Sequence, residues 1–194
     1  MTRALALLAA AIAFLAGSGP SRAQGVDMRD LMGGGPNFFG RGVSASPIPR
    51  QTVYYPTNFA PGTVLIDTAE RRLYLILANG QALRYGIGVG RDGFRWGGVH
   101  RITAKKEWPE WTPPSQMIAR RPDLPRHMKG GIENPLGARA MYLGSTLYRI
   151  HGSNEPETIG QAVSSGCFRM TNDDVTDLYG RVSVGTTVVV LNNN

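Results

Sequence analysis

The clearest β pattern in the chain is GTVLIDTAERRLYLILANGQALRYGIGVG, residues 62–90. It contains three short runs rich in β-branched, aromatic and leucine residues, separated by turn residues, which is typical of antiparallel strands. The predicted strands are residues 64–67, 72–77 and 82–88. Asn79-Gly80, between the second and third runs, predicts a tight hairpin because both residue types accept the positive φ that such a turn requires.

The rest of the chain carries similar signs of β structure and one helix. Residues 140–143, 148–151 and 186–191 predict further strands. The run TNDDVTDLYGRV, residues 171–182, predicts a helix that begins at Thr171 or Asn172 and ends at Gly180. Its aspartates suit the helix dipole, which explains them better than metal binding does. Short strands joined by Gly and Pro turns predict a mostly β domain, a β-sandwich or partly closed barrel, with one or two short helices.

The chain begins with the features of an export signal. Arg3 precedes an apolar run, and GSGPSRAQ offers a small-residue cleavage site that ends at Ala23. The apolar run is shorter than the about 20 residues of a membrane-spanning helix. Residues 1–23 are therefore predicted to be a cleaved signal peptide that leaves no membrane span, with a retained anchor as the alternative. Residues 24–57 are predicted to be a flexible Gly/Pro-rich arm, and residues 58–194 the folded domain.

Charge narrows the classes of partner. The chain has 21 basic and 14 acidic residues, and loss of residues 1–23 removes two arginines and no acids, which leaves 19 against 14. The basic residues are scattered rather than grouped in blocks, and an exported chain rarely meets nucleic acid, so no nucleic-acid partner is predicted. The remaining positive charge favours acidic material outside the cytoplasm.

Cys167 is the only cysteine, so the chain cannot form an intramolecular disulfide. It lies in IHGSNEPETIGQAVSSGCFRM, residues 150–170, sixteen positions after His151. A thiol attacks as the thiolate, which a nearby base can generate, so the pair predicts a nucleophile and its general base if the intervening segment folds back. A buried apolar cysteine beside a structural histidine is the alternative, and the spacing alone does not decide between the two.

The residues beside this pair suit acyl transfer. Gly152 could offer its backbone carbonyl to orient the His151 imidazole. Gly166 leaves room for a substrate carbonyl and for backbone N–H groups at Cys167 that would bind an oxyanion. Arg169 lies two residues beyond the thiol, on the same side of a strand, and could hold a substrate carboxylate or stabilise the thiolate.

Other features of the sequence are weaker. His100 and His127 compete with His151 for the role of base, and the absence of a recognised ligand spacing predicts neither a metal nor a cofactor. GIGVGRDG, residues 86–93, has the glycines of a dinucleotide loop but opens no predicted helix, so we interpret it as a turn-rich strand end. In the long Pro-rich connection 105–140, Trp108 and Trp111 either wall a substrate groove or anchor the loop.

The run IHGSNEPETIGQAVSSGCFRMTNDDVTDLYGRVSVGTTVVVL, residues 150–191, resembles the catalytic core of the L,D-transpeptidases of the YkuD type. The motif of that family is His-Gly, a gap, Ser-x-Gly-Cys-x-Arg and a helix led by Asn or Asp. The resemblance extends upstream through LIDTAERRLYLIL, YGIGVGRDGFRWGG, EWPEWTPP and NPLGARAMYLG, and covers about residues 60–191. It implies a mostly β L,D-transpeptidase catalytic domain that acts in the periplasm or cell envelope of a bacterium.

The resemblance also implies a reaction. Cys167 would attack the carbonyl on the L-centre of diaminopimelate in a tetrapeptide stem of peptidoglycan and expel D-alanine. The acyl group would then pass to an amine, either of a second diaminopimelate, which cross-links third residues, or of a lysine in an outer-membrane protein. Carried over by motif, His151 is the general base, the Gly152 carbonyl orients it, and backbone amides around Gly166 and Cys167 form the oxyanion hole.

Arg169, Ser165 and Trp111 complete the prediction as substrate-binding residues. Many members of the family have His where this chain has Ser165, so contacts made by that extra imidazole are not expected here. Two other functions would leave the same sequence features: an L,D-carboxypeptidase, in which water takes the acyl group, and a non-catalytic envelope-binding module whose cysteine only packs.

Overall fold

A computed structural model describes residues 46–144 and 146–192, and its secondary structure is mostly β. The predicted signal peptide and residues 24–45 of the predicted arm lie outside the described residues. The elements in chain order are β1 (Gln51–Tyr54), β2 (Val64–Asp67), β3 (Arg72–Ile76), β4 (Gln81–Gly86), β5 (Val89–Gly90), β6 (Gly98–Glu107), α1 (Ser115–Arg120), β7 (Arg139–Leu143), β8 (Arg149–His151), a 3-10 turn (Pro156–Thr158), β9 (Ala162–Ser164), β10 (Phe168–Arg169), α2 (Asn172–Arg181) and β11 (Thr187–Leu191).

Nine of these strands form one sheet in the order β1-β4-β3-β2-β11-β6-β7-β8-β10, and β5 pairs with β9 in a separate ribbon. The sheet is not a closed barrel, because its edge strands β1 and β10 do not pair with each other. It curves far enough, however, for Gly88 and Arg169 to exchange two backbone hydrogen bonds of 2.9 Å. The prediction of a mostly β domain with few helices is confirmed, and the partial closure consists of this single bridge.

The hairpin predicted at Asn79-Gly80 is present between β3 and β4. Both residues have positive φ, 60° and 67°, and Gln81 N–H donates to the Ala78 carbonyl across the turn. This combination of angles is that of a type I′ turn, whose twist matches that of the strands it joins. The apolar residues of β2, β3 and β11 are buried on both faces of the sheet, which explains why these strands are continuous rather than alternating apolar runs.

Several strands differ from the sequence prediction: β5 and β9 were not predicted, and β1, β6 and β4 differ in other ways. β1 lies within the stretch assigned to the flexible arm, and it pairs with β4 along its whole length. β6 is the longest strand, yet only Ile102 among its residues is fully buried, so it shows no apolar alternation that could reveal it. The strand predicted at 82–88 ends at Gly86, and the chain then leaves the sheet to form β5.

Helix α2 packs against the sheet directly after the stretch that contains Cys167. Thr171 is its N-cap and accepts a hydrogen bond from Asp174 N–H, while Val175 and Leu178 are buried in the main core. The helix continues one residue past the predicted stop at Gly180. Because α2 is both capped and buried, it holds the preceding strand β10 at a defined position against β8. No helix in the described part of the chain is long and apolar enough to span a membrane.

Candidate active site

The pairing of β8 with β10 brings His151 and Cys167 to one groove. The two strands are parallel, with Phe168 opposite Ile150 and Arg169 opposite His151. Phe168 and Ile150 are buried in the core, and because side chains alternate along a strand, their neighbours face the opposite side. Four side chains therefore converge there and line a cavity of about 760 Å³: those of Arg149, His151, Cys167 and Arg169. The segment between His151 and Cys167 folds back, so that both side chains line one groove.

His151 is held in one tautomer by the backbone. Its side chain is buried, and Nδ1 lies 2.5 Å from the carbonyl oxygen of Gly152. A carbonyl only accepts, so Nδ1 carries the proton and Nε2 keeps a lone pair. Burial lowers the pKa of His151 from its ordinary value to about 3, and the positive charge of Arg169 acts in the same direction. The imidazole is therefore neutral at pH 7 and able to take a proton.

Gly152 is itself locked in place by close neighbours. The side-chain oxygen of Asn172, the first residue of α2, accepts a hydrogen bond of 2.8 Å from Ala138 N–H. A Cβ at Gly152 would collide with this oxygen and with the backbone around Gly137. Gly152 N–H in turn donates to the Arg139 carbonyl over 3.0 Å. The carbonyl that orients His151 thus belongs to a position at which only glycine fits.

The thiol of Cys167 lies close enough to two guanidinium groups to be influenced by their charge. Burial raises the pKa of the Cys167 thiol, while Arg149 and Arg169 act against this effect by favouring the thiolate. The Sγ atom lies 4.0 Å from the Leu147 carbonyl oxygen. In the resting site, a neutral thiol and a neutral imidazole therefore line the same groove, and in this pair of protonation states an imidazole can act as base toward a thiol.

The backbone before Cys167 is held by two aromatic side chains. Gly166 has a φ of +108°, and a Cβ there would strike the ring of Tyr148. Trp96 stacks on Tyr148 with ring centroids 4.5 Å apart, and its Nε1–H donates to the Gly166 carbonyl over 2.7 Å. The Gly166 carbonyl and the Cys167 N–H belong to one planar trans peptide and point in opposite directions. The indole therefore directs the Cys167 N–H away from itself.

The Ser164 hydroxyl determines which of the two backbone N–H groups beside the thiol lacks a hydrogen-bond partner within the described residues. Its hydroxyl accepts from Gly166 N–H at 3.1 Å and donates to the Cys167 carbonyl at 2.6 Å. The Gly166 N–H is thus occupied, whereas no group in residues 46–144 or 146–192 accepts a hydrogen bond from the Cys167 N–H. Of the two amides proposed for an oxyanion hole, the one at Cys167 is available.

The two arginines of the site differ in their partners. Arg169 Nη1 donates to a carboxylate oxygen of Glu155 over 2.8 Å and lies 3.5 Å from the Thr158 hydroxyl. Arg149 forms no ion pair with a described carboxylate; its Nη2 donates to the Leu147 carbonyl over 3.1 Å, and its side chain lies within hydrogen-bonding reach of the Cys167 thiol. One guanidinium charge is thus compensated within the protein, and the other is not.

The long Pro-rich connection forms a wall of the groove. Trp111 and Met128 exchange two backbone hydrogen bonds of 2.8 Å, which close the loop, and Trp111 lines the cavity together with Met117 of α1. Ser165 also lines the cavity. Trp108 does not; 42% of its surface is exposed, and its backbone N–H donates to the Ala138 carbonyl. Of the two tryptophans, Trp111 belongs to the groove.

The two other histidines lie away from the thiol. His100 contacts the edge of Trp96 with ring centroids 5.0 Å apart, and His127 is half-exposed beside Thr112. Neither lines the cavity that contains Cys167, so neither is placed to take its proton. Among the described residues no cluster of His, Cys, Asp and Glu has a geometry suited to a metal ion.

Comparison with known families identifies the family of the chain. The family model of the L,D-transpeptidase catalytic domain, YkuD, matches residues 61–190. The chain belongs to the L,D-transpeptidase catalytic domain family. A curated relative, "Probable L,D-transpeptidase ErfK/SrfK" of Escherichia coli strain K12, is 34% identical over 163 residues, which cover 79% of this chain and 51% of that protein. The chain spans about half the length of the curated relatives that it matches first.

Two solved structures share the fold of this L,D-transpeptidase domain. An L,D-transpeptidase from Mycobacterium smegmatis has a TM-score of 0.54 at 19% identity, covering 67% of this chain and 58% of that one. A protein described as "Probable carnitine operon oxidoreductase caia", from Brucella melitensis, is 48% identical with a TM-score of 0.51, covering 75% of this chain and 94% of that one. The name of the second protein describes an oxidoreductase, whereas the family model that matches this chain describes an L,D-transpeptidase.

The glycine-rich run of this domain does not form a dinucleotide loop. Residues 86–93 lead from β4 through β5 to a turn before β6, and no helix begins there. A dinucleotide pyrophosphate in a Rossmann fold rests on the N-terminus of the helix that such a loop opens. The interpretation as a turn-rich strand end agrees with this local structure.

Sequence reasoning missed several residues of the site, among them Arg149 and Trp96. Arg149 lies two positions before His151 on β8, so strand alternation alone could have placed it on the same face. Trp96 gave no such signal, because its partner Gly166 is 70 positions away in the chain. Only the folded structure brings Trp96 and Gly166 together.

Proposed function

We propose that this domain is a cysteine-dependent peptidoglycan L,D-transpeptidase. The observation that carries the proposal is the His151 Nδ1 contact with the Gly152 carbonyl in the groove that also contains Cys167. This contact leaves Nε2 as a base, which is the role that a nucleophilic thiol requires. The family assignment and the basic character of the chain agree with a substrate rich in carboxylates.

In the first half of the reaction, His151 Nε2 takes the thiol proton as Sγ attacks the carbonyl on the L-centre of diaminopimelate. The oxyanion that forms accepts a hydrogen bond from the Cys167 N–H. The C–N bond then breaks, the imidazolium returns its proton to the leaving amine, and D-alanine departs. What remains is a thioester between Cys167 and the stem peptide, with the imidazole neutral again.

In the second half, an amine attacks the thioester and His151 accepts its proton. The C–S bond breaks, the new amide is released, and the proton returns to the sulfur. One amide is broken and one is made, so the exchange needs no external energy source. The acceptor is the side-chain amine of a second diaminopimelate, or the lysine of an outer-membrane protein, and Arg169, Ser165 and Trp111 line the groove in which donor and acceptor meet.

This chemistry fits the cell envelope, where the predicted signal peptide would deliver the domain. Peptidoglycan cross-linking there would contribute to cell wall biogenesis and cell shape. An extracytoplasmic site also suits a reaction that uses no nucleotide.

The direct test is incubation of the purified protein with tetrapeptide muropeptides, followed by mass analysis of the products. Cross-linked dimers with free D-alanine support transpeptidation. Tripeptide with free D-alanine and no dimer identifies an L,D-carboxypeptidase instead. Unchanged muropeptides that nevertheless bind the protein identify a binding module.

A further inference from the structure

Arg149 is a cation without an acidic partner, and it lies beside the proposed nucleophile. Arg149 directly precedes Ile150 on β8, as Cys167 directly precedes Phe168, so the register places the two opposite each other on neighbouring strands. Adjacent strands lie about 4.8 Å apart. Both side chains line the groove. Arg149 is thus within reach of any substrate group attached close to the carbonyl that Cys167 attacks.

The donors of the Arg149 guanidinium are largely unused. Arginine has five N–H donors; within the described residues, Nη2 of Arg149 donates to the Leu147 carbonyl, and the side chain also lies within hydrogen-bonding reach of the Cys167 thiol. Its Nε is buried and has no hydrogen-bond partner within the described residues. Unpartnered buried donors are rare in folded proteins, and a guanidinium is best satisfied by a planar carboxylate. The side chain is also steadied by the Tyr142 ring, whose centroid lies 5.5 Å from its central carbon.

The other arginine beside the thiol is already satisfied. Arg169 donates to Glu155, and the backbone of Arg169 is fixed by its bridge to Gly88. To bind a substrate carboxylate, Arg169 would have to give up an ion pair, whereas Arg149 would gain one. Electrostatics in the groove therefore favours Arg149 as the anion-binding residue.

We infer that Arg149 binds the α-carboxylate of the residue that leaves the donor stem, and so selects donors that end in a free carboxylate. This inference rests on the proposed function, in which the leaving residue is D-alanine. The carboxylate of that residue is carried by the α-carbon next to the leaving nitrogen, which makes it the anionic group closest to the scissile amide. No covalent step is involved, and the role of Arg149 is substrate recognition.

The test separates binding from chemistry by using Cys167→Ala protein, which cannot form a thioester. Calorimetric titration compares a tetrapeptide donor that has a free C-terminal carboxylate with the same peptide as its C-terminal amide. We expect the carboxylate form to bind about tenfold more tightly, as one charged hydrogen-bonded contact in a partly exposed groove would give. Adding Arg149→Gln should bring the ratio close to one, by weakening the carboxylate form and leaving the amide form unchanged.

Three further variants keep the test decisive. Arg149→Lys retains the charge without the planar fork and should give an intermediate ratio, which supplies an answer even if the glutamine variant unfolds. Arg120→Gln removes another arginine that lines the groove and should keep the full ratio. If the ratio is lost in Arg169→Gln and kept in Arg149→Gln, the inference is overturned. Equal binding of the two peptides by the Cys167→Ala protein, or no binding of either, overturns it as well.

Failure of this inference and failure of the proposed function give different results. If wild-type protein releases D-alanine from the donor but the carboxylate and amide peptides bind equally, only the role of Arg149 is refuted. If the carboxylate peptide binds tenfold more tightly through Arg149 but no D-alanine is released, only the proposed transpeptidase function is refuted. A variant Arg149→Gln that slows alkylation of Cys167 by iodoacetamide but keeps the carboxylate preference would assign the charge to the thiolate, against the inference.

Discussion

The indole Nε1–H of Trp96 donates a 2.7 Å hydrogen bond to the carbonyl of Gly166, the residue before the proposed nucleophile. Through the planar peptide, this bond sets the direction of the Cys167 N–H. Trp96 is thus a positioning residue: it does not line the groove, but it aims the donor that would bind the oxyanion. An amide aimed in advance stabilises developing charge without reorganisation.

Replacing Trp96 by phenylalanine tests this positioning role. Phe keeps an aromatic ring to stack on Tyr148 but loses the N–H donor, so we expect kcat for D-alanine release to fall by about tenfold or somewhat less, with KM unchanged. The control is Trp108→Phe, which alters an exposed tryptophan outside the groove and should leave both constants as they are. An equal change in KM, or an unchanged kcat, would show that Trp96 only fills space.

Gly166 should not tolerate a side chain. Gly166→Ala adds both the cost of a positive φ and a collision with the Tyr148 ring, whereas Gly185→Ala, at a φ of +96° with open space around it, adds only the first. The positive φ costs about 1–2 kcal/mol for an alanine. We expect the alanine at position 166 to lower the free energy of unfolding by at least about 1 kcal/mol more than the alanine at 185. Urea unfolding measures both, and equal losses would mean that the ring moves aside without cost.

The buried imidazole predicts a dependence of stability on pH. The folded pKa of His151 is about 3, below its unfolded value of 6.5, so the unfolded chain binds the extra proton first as the pH falls. The stability contributed by neutral His151 is therefore complete above pH 6.5 and is lost between pH 6.5 and 3, at about 1.4 kcal/mol per pH unit. Between pH 7 and pH 5.5, wild-type protein should lose about 1 kcal/mol more than His151→Gln.

Urea unfolding of the two proteins at both pH values makes this comparison, since all other titrating groups are shared. His127→Gln changes a half-exposed histidine and should retain the wild-type loss. The glutamine at position 151 is a poor base, so it should also abolish D-alanine release. Identical pH slopes for wild type and His151→Gln would contradict the buried neutral imidazole, and full activity would move the base elsewhere.

How much the sequence reveals depends on whether a feature is local. The hairpin at Asn79-Gly80 and the N-cap at Thr171 are encoded within a few residues, and both are present in the structure. β6 was not predicted because its own sequence lacks a strand pattern. It forms a strand because it pairs with β11 on one side and β7 on the other. Local patterns therefore predicted the fold class and most strands, while strands defined by their partners did not stand out.

The same distinction holds for the site. His151 and Cys167 could be proposed as a pair because their neighbours Gly152 and Gly166 have local chemical roles. Arg169 forms an ion pair with Glu155, which lies across a loop. The sequence could not show that the charge of this guanidinium is already neutralised by a carboxylate. Nor could it show that Ser164 takes the Gly166 N–H and leaves the Cys167 N–H available. These assignments depend on distances that only the fold defines.

Intact-protein mass spectrometry shows whether Cys167 carries the acyl group. Wild-type protein is mixed with a tetrapeptide donor, quenched in acid within the first turnovers, and compared with Cys167→Ser treated in the same way. We expect an added mass equal to the donor minus D-alanine, located on Cys167 by peptide mapping and absent from the serine variant. An adduct on another residue, or D-alanine release by Cys167→Ser at the wild-type rate, would contradict the role of Cys167 as acyl carrier.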